Sequence, residues 1–169
     1  MGKDKQIKIT PREFSAGGVV FKKNNFLWLI TRSTPSDLFP GEYWRLPKGW
    51  LDDEVENAYP GVLARGEERA TAEKIQSAAL REVREEGGVE AKIIGKVGTI
   101  NYFSTSPRGK VLKFATFYLM EWVRDLPEGP GFETSEVLWL PFENAYEKLT
   151  TSKEKEILKK AREALERLV

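Results

Sequence analysis

The densest run of chemically capable side chains is Arg81-Glu82-Val83-Arg84-Glu85-Glu86-Gly87-Gly88-Val89, in a 169-residue chain that has neither histidine nor cysteine. That absence excludes a Ser-His-Asp triad, a histidine general base, thiolate metal sites and disulfides. Chemistry must rest on carboxylates, Lys, Arg, Ser, Thr or Tyr. On a helix Glu82 lies three residues from Glu85 and four from Glu86, so these carboxylates share a face, with Glu73 two and a half turns upstream. Like charges at that spacing cost about a few tenths of a kcal/mol per pair. Two compensators are open. Solvent with Arg81, Arg84 and Lys74 gives an ordinary charged surface helix. A hard divalent cation, which prefers oxygen ligands and bridges carboxylates to phosphates, gives a metal site.

The elements that must position these groups can be read from pattern. Thr71 can cap a helix over about 72–86, with Ile75, Ala78, Ala79, Leu80 and Val83 as its apolar stripe and Gly87-Gly88 as its stop. Upstream, Phe14–Phe21 and Phe26–Arg32 read as a β-hairpin around Asn24-Asn25, and the Gly17-Gly18 pair suggests close approach to the backbone. A loop over Ser33–Tyr43 leads to Trp44-Arg45-Leu46-Pro47-Lys48-Gly49. Between Trp50 and Glu73 stand seven acids, Asp52, Asp53, Glu54, Glu56, Glu67, Glu68 and Glu73, against Arg65 and Arg69, which argues against core. Downstream, Ala91–Ser104, Lys110–Val123 and Val137–Leu140 read as strands. A closing helix over about 152–168 opens with Thr151-x-x-Glu154 as a capping box and presents Ile157, Leu158, Ala161, Leu165 and Leu168 on one face. The order predicts an α+β fold, a mixed sheet packed between helices as an α/β/α sandwich, in one domain over 1–169.

Lys and Arg number 27 against 26 Asp and Glu, so bulk charge attracts neither nucleic acid nor membrane, and a long nucleic acid is disfavoured. The longest apolar run, Phe26 to Ile30, is too short to span a bilayer, and the first ten residues lack a leader's pattern. A cytoplasmic location is the expectation.

With these residues in view, the sequence resembles the Nudix hydrolases, whose box reads G-x5-E-x7-R-E-U-x-E-E-x-G-U, where U is apolar. Glu73, seven residues, then Arg81-Glu82-Val83-x-Glu85-Glu86-x-Gly88-Val89 meets every fixed position of the second half. The likeness extends to Leu46-Pro47-Lys48-Gly49, to Ser15-Ala16-Gly17-Gly18-Val19-Val20 and to Val137-Leu138-Trp139-Leu140-Pro141. One departure is large: Gly49 lies 24 positions before Glu73, where the box expects six, and Gly66 is one residue out of register. Taking Gly49, which follows Leu-Pro-Lys, makes about 50–70 an insertion: a tolerated surface excursion, a lid or a dimer contact. A homodimer stays open.

The resemblance implies hydrolysis of a nucleoside diphosphate linked to another moiety, by water attack on phosphorus with Mg²⁺ or Mn²⁺ as cofactor. It implies Glu82, Glu85 and Glu86 as metal ligands with the Gly49 carbonyl, Arg81 as a salt-bridged orienter of a glutamate, and Glu73 as a support. The general base is a box glutamate or a later carboxylate, Glu133 or Glu136. Lys48 meets a phosphate or pairs with a nearby acid. Tyr102, Phe103, Lys113 and the Trp139-Leu140-Pro141 ending look most like the diadenosine polyphosphate branch, with Tyr102 stacking a base and Lys113 holding outer phosphates. For Tyr102, Phe103 and Tyr118, sheet packing is the other reading. Oxidised nucleoside triphosphates, nucleotide sugars and RNA 5′ ends remain open as substrates. The alternative in a different class is a non-catalytic nucleotide-sensing or scaffolding domain.

Overall fold

A computed structural model describes residues 10–37, 40–51, 61–106 and 109–168. The elements run β1 (Arg12–Lys22), β2 (Leu27–Ser33), β3 (Trp44–Arg45), β4 (Lys48–Trp50), α1 (Ala72–Gly87), β5 (Val89–Ser106), β6 (Gly109–Asp125), β7 (Thr134–Leu140), α2 (Phe142–Lys148) and α3 (Ser152–Leu168). They form one mixed seven-stranded sheet whose main path is β3-β2-β1-β6-β5, with β4 on β1 and β7 on β2. The expected mixed sheet between helices is therefore what forms.

Strand β1 carries the architecture. It pairs in parallel with β6 from Arg12↔Leu112 to Phe21↔Glu121, meets β2 only at Phe21↔Trp28 and Lys22↔Leu27, and receives β4 at Ser15↔Trp50, Ala16↔Gly49 and Gly17↔Lys48. Because side chains alternate across a strand, two cores form. Val19, Phe21, Ala115, Phe117 and Leu119 pack towards Ile157, Leu158 and Ala161 of α3; Ala16, Val20, Tyr118 and Met120 pack towards Ala78, Ala79 and Val83 of α1. Each fully buried large aliphatic or aromatic side chain contributes about 1.5–3 kcal/mol. Tyr118 is core.

The expected close approach at Gly17-Gly18 is present. Gly18 N–H donates to the Pro47 carbonyl at 3.1 Å, and a Cβ on Gly17 would lie 2.2 Å from that same oxygen. The turn before Lys48 can thus press directly on β1.

Several expectations are corrected. The stripe of α1 excludes Leu80, which is 37% exposed, and the buried face instead takes in Glu82 and Glu86. Leu168 is 65% exposed at the end of α3. Helix α2 went unseen because its Pro141 N-cap makes no side-chain cap bond and it is only seven residues long. Of the stretch 50–70, Trp50 belongs to β4, 52–60 lie outside the described residues, and 61–70 are not wholly a solvent-exposed excursion, since Leu63 is buried. Among the described residues no helix is long and apolar enough to cross a membrane.

Candidate active site

Helix α1 starts where Thr71 accepts from Lys74 N–H and ends at Gly88, left-handed at φ 66, whose N–H donates to the Arg84 carbonyl. Glu73 in its first turn favours the positive end of the helix dipole. Glu82 lies nine positions after Glu73, about 13 Å along the axis and half a turn round it. The structure leaves Glu73 exposed and away from the other box glutamates.

Glu82 and Glu86 are each only 3% exposed, which excludes the ordinary surface-helix reading for them. Glu85, one turn along, is exposed. Burial pushes the Glu82 carboxyl up to about 7, aided by repulsion from Glu86 and partly offset by Arg81. Burial likewise pushes Glu86 up to about 7, against the pull of Arg45 and the Lys48 N–H, with Glu133 adding repulsion.

The Trp44–Trp50 segment supplies the surroundings. Arg45 Nη2 lies 2.8 Å from Glu86 Oε1, and Lys48 N–H donates to Glu86 Oε2 at 2.9 Å. Arg81 Nη2 donates to Glu82 Oε1 at 3.3 Å and to the Trp50 carbonyl at 2.7 Å, so it links the helix to β4 while orienting a glutamate. Gly49 sits directly against Glu82: a Cβ there would lie 2.2 Å from the carboxylate carbon. That contact brings Gly49, rather than Gly66, to the helix carboxylates. Gly49→Ala is expected to destabilise the protein by about 1–3 kcal/mol through overpacking against the Glu82 carboxylate, read from urea unfolding.

The remaining candidates divide between the two sheet faces. The Lys48 ammonium lies 3.5 Å from Glu154 Oε2 and 5.1 Å from the Tyr102 ring centroid, and its charge also pulls on Glu86. Burial works against that charge, but Glu154 and Tyr102 outweigh it and raise the Lys48 pKa. Tyr102 is opposite Lys113 across β5 and β6, and Lys113 is 3.4 Å from the buried Glu13. Phe103 stays exposed beneath Lys110. Glu136 pairs with Arg32 at 3.3 Å, whereas Glu133 is exposed and close enough to Glu86 to repel it. Glu133 is held by its backbone: Thr34 N–H donates to its carbonyl, and Gly131 N–H to that of Glu85 at 2.7 Å.

Sequence reasoning missed Arg45 as the partner of Glu86. It saw Glu154 only as half of a capping box. Among the described residues no three acidic groups converge closely enough to hold an ion as they stand. The donor set nevertheless fits a hard divalent cation: two buried carboxylates that repel each other, a third acid one turn away, and a glycine cradle that a Cβ would fill.

The NUDIX domain profile matches residues 11–161, and the chain belongs to that family. A "Putative mutator protein MutT4" of Mycobacterium tuberculosis (strain CDC 1551 / Oshkosh) is 25% identical over 125 residues, covering 74% of this chain and 43% of that protein. The chain thus spans less than half the length of this curated relative. Among solved structures, a NUDIX hydrolase from Nitrosomonas europaea superposes with a TM-score of 0.62 at 15% identity, covering 90% of each chain. A C. elegans Ap4A hydrolase binary complex superposes with a TM-score of 0.57 at 18% identity, covering 90% of this chain and 97% of that one. These likenesses establish the shared fold.

Proposed function

We propose that the chain is a metal-dependent pyrophosphohydrolase that cleaves a nucleoside diphosphate linked to another moiety by water attack on phosphorus. The observation that carries this reading is the buried Glu82–Glu86 pair, held by Arg81, Arg45 and the Lys48 N–H against Gly49. Folding alone gives no reason to bury two mutually repelling carboxylates. Glu82, Glu85 and Glu86, with the Gly49 carbonyl, would hold Mg²⁺ or Mn²⁺. Such an ion supplies phosphate-charge neutralisation and a more acidic water. Arg45 and Arg81 fix the carboxylate orientations. Glu133 is the favoured proton acceptor, because Glu136 is engaged by Arg32. Lys48 offers a point charge to an outer phosphate. Tyr102 offers a ring for a base, and Lys113 a second cation.

A dinucleoside polyphosphate is the favoured substrate, a reading that rests on the resemblance of Tyr102, Lys113 and the Trp139-Leu140-Pro141 ending to that branch and on the fold shared with an Ap4A hydrolase. The segment at about 50–70 is proposed as an insertion within the box. The second reading, a non-catalytic nucleotide sensor, is favoured by one observation: Gly49 stands 24 positions before Glu73, where the box expects six.

Product chromatography of diadenosine tetraphosphate, ADP-ribose, NADH, nucleoside triphosphates and 5′-triphosphorylated RNA, each with Mg²⁺ or Mn²⁺, separates the two readings. Metal-dependent cleavage that disappears in Glu85→Gln and Glu86→Gln is the expected result. No turnover across the panel in a chain that still binds Mn²⁺ would point to a substrate outside the panel or to the sensor instead.

A further inference from the structure

Glu154 is a buried carboxylate that the box does not explain. It is 3% exposed, at the start of α3, on the face of the sheet opposite α1. A carboxylate serving only as a helix cap would remain at the solvent-facing first turn. Here the Thr151 hydroxyl accepts from Glu154 N–H at 3.3 Å, but the carboxylate reaches 108 residues back in sequence. Its Oε1 accepts from Leu46 N–H at 2.8 Å; its Oε2 faces Lys48 Nζ at 3.5 Å and accepts from the Thr151 hydroxyl at 3.1 Å.

The segment it grips is the one that holds Glu86. Along Trp44–Lys48, alternate residues face the α2–α3 corner: Trp44 N–H donates to Thr150 Oγ1 at 2.9 Å, and Thr150 N–H donates back to the Trp44 carbonyl at 3.0 Å. Leu46 and the Lys48 side chain then meet Glu154. On the other side, Arg45 and the Lys48 N–H meet Glu86 at 2.8 and 2.9 Å. One short segment is therefore clamped between two buried carboxylates from different helices, with Pro47 pressed onto Gly18 N–H to fix its depth.

We propose that Glu154 is a positioning residue for the hydrolytic site, aiming the Lys48 ammonium past Tyr102 and setting the Leu46–Lys48 backbone against Glu86. It acts through Lys48 and Leu46, not on substrate. The proposal rests on the hydrolase reading for its kinetic arm, while its metal-binding arm stands without turnover.

The test uses the full chain with diadenosine tetraphosphate as substrate probe, Mn²⁺ alone as metal probe and thermal unfolding as the control for folding. Glu154→Gln keeps an oxygen for the Leu46 N–H but removes the charge that faces Lys48; Glu154→Ala removes both. Glu154→Gln is expected to raise KM about tenfold with kcat nearly unchanged, the effect of misaiming one charge-assisted contact. Lys48→Met should do the same, and the double variant should be no worse than Lys48→Met. Glu154→Ala should weaken Mn²⁺ binding by about tenfold, as the loss of a supporting contact behind a metal ligand does, with Glu154→Gln close to wild type. The proposal is overturned if KM is unchanged in Glu154→Gln, if the two single effects multiply in the double variant, or if Glu154→Ala binds Mn²⁺ as tightly as wild type. Should wild type turn over no diadenosine tetraphosphate, the dinucleoside polyphosphate reading fails, and the Mn²⁺ comparison alone decides the role of Glu154. If Glu154→Ala does not unfold cooperatively, Glu154→Gln and Glu154→Asp replace it in that comparison, and unchanged Mn²⁺ affinity in Glu154→Asp, whose shorter arm cannot span to Leu46, overturns the proposal.

Discussion

Glu86→Gln is expected to lower Mg²⁺-dependent turnover by about 10²–10³-fold, the scale of losing one principal electrostatic stabiliser from an enclosed site. The substitution is isosteric: the amide oxygen can still accept from Lys48 N–H, which keeps the segment over the site in place, while the amide NH2 faces Arg45 and turns that guanidinium aside. What is lost is the negative charge facing both Arg45 and the proposed cation. Thermal unfolding without metal should therefore change by only a few degrees, while Mn²⁺ titration should show much weaker binding. Arg45→Ala tests the supporting contact behind the carboxylate. It leaves Glu86 buried without its guanidinium, and turnover should fall about 10–100-fold. If Glu86→Gln retained wild-type turnover under saturating Mg²⁺, Glu86 would not belong to the reacting site.

How much of this could be read in advance depended on the range of the interactions. Helix α1 was legible to within a residue because its cap, stripe and αL stop are all local, and Thr71 and Gly88 behave as their chemistry dictates. The long β5–β6 hairpin was legible from its β-rich runs, although it extends beyond them at both ends. Strands β3 and β4, two and three residues long, were not legible, because their pairing to β2 and β1 is set by tertiary position rather than by pattern. The box carboxylates were visible as residues, but their burial was not: the charged helix pattern of Arg81 to Glu86 suits solvent equally well. Arg45 meets Glu86 across 41 residues and Glu154 meets Leu46 across 108, and neither spacing carries a periodic signal. Leu80 was misplaced for a related reason. Counting apolar residues put it on the stripe, whereas Glu82 and Glu86 fall at helical angles between those of Ala78 and Ala79, in the middle of the face towards the sheet, and Leu80 falls outside that face.

Burial of Glu82 and Glu86 makes a second large prediction, in which pH and metal oppose each other. Both carboxyls are held near 7 in the folded protein, above the ordinary value of 4.5. The native state therefore binds more protons than the unfolded chain between these values, and the stability of the metal-free protein must fall as pH rises. The stabilising protonation is complete below about pH 4.5 for these two groups and is lost as pH passes through about 7, with a plateau above. A tenfold change in a carboxyl's proton affinity on folding is worth about 1.4 kcal/mol, so the pair destabilises the neutral-pH apo-protein by about a few kcal/mol, with the two titrations coupled. Urea unfolding from pH 5 to pH 8 in EDTA should resolve this slope, and Glu82→Gln should flatten it and raise stability at pH 8. Saturating Mg²⁺ should also flatten it, because a cation that binds only the native carboxylates favours their ionised form and stabilises the fold by mass action. Mg²⁺ should stabilise more strongly at pH 8 than at pH 5, and Glu82→Gln should lose most of that difference. A slope that survives both Mg²⁺ and Glu82→Gln would place its origin in other groups. The proposed cation would give the arrangement a single physical logic: Arg45, Arg81 and the Lys48 N–H hold two buried carboxylates, and stability given up at neutral pH would return as affinity for that cation.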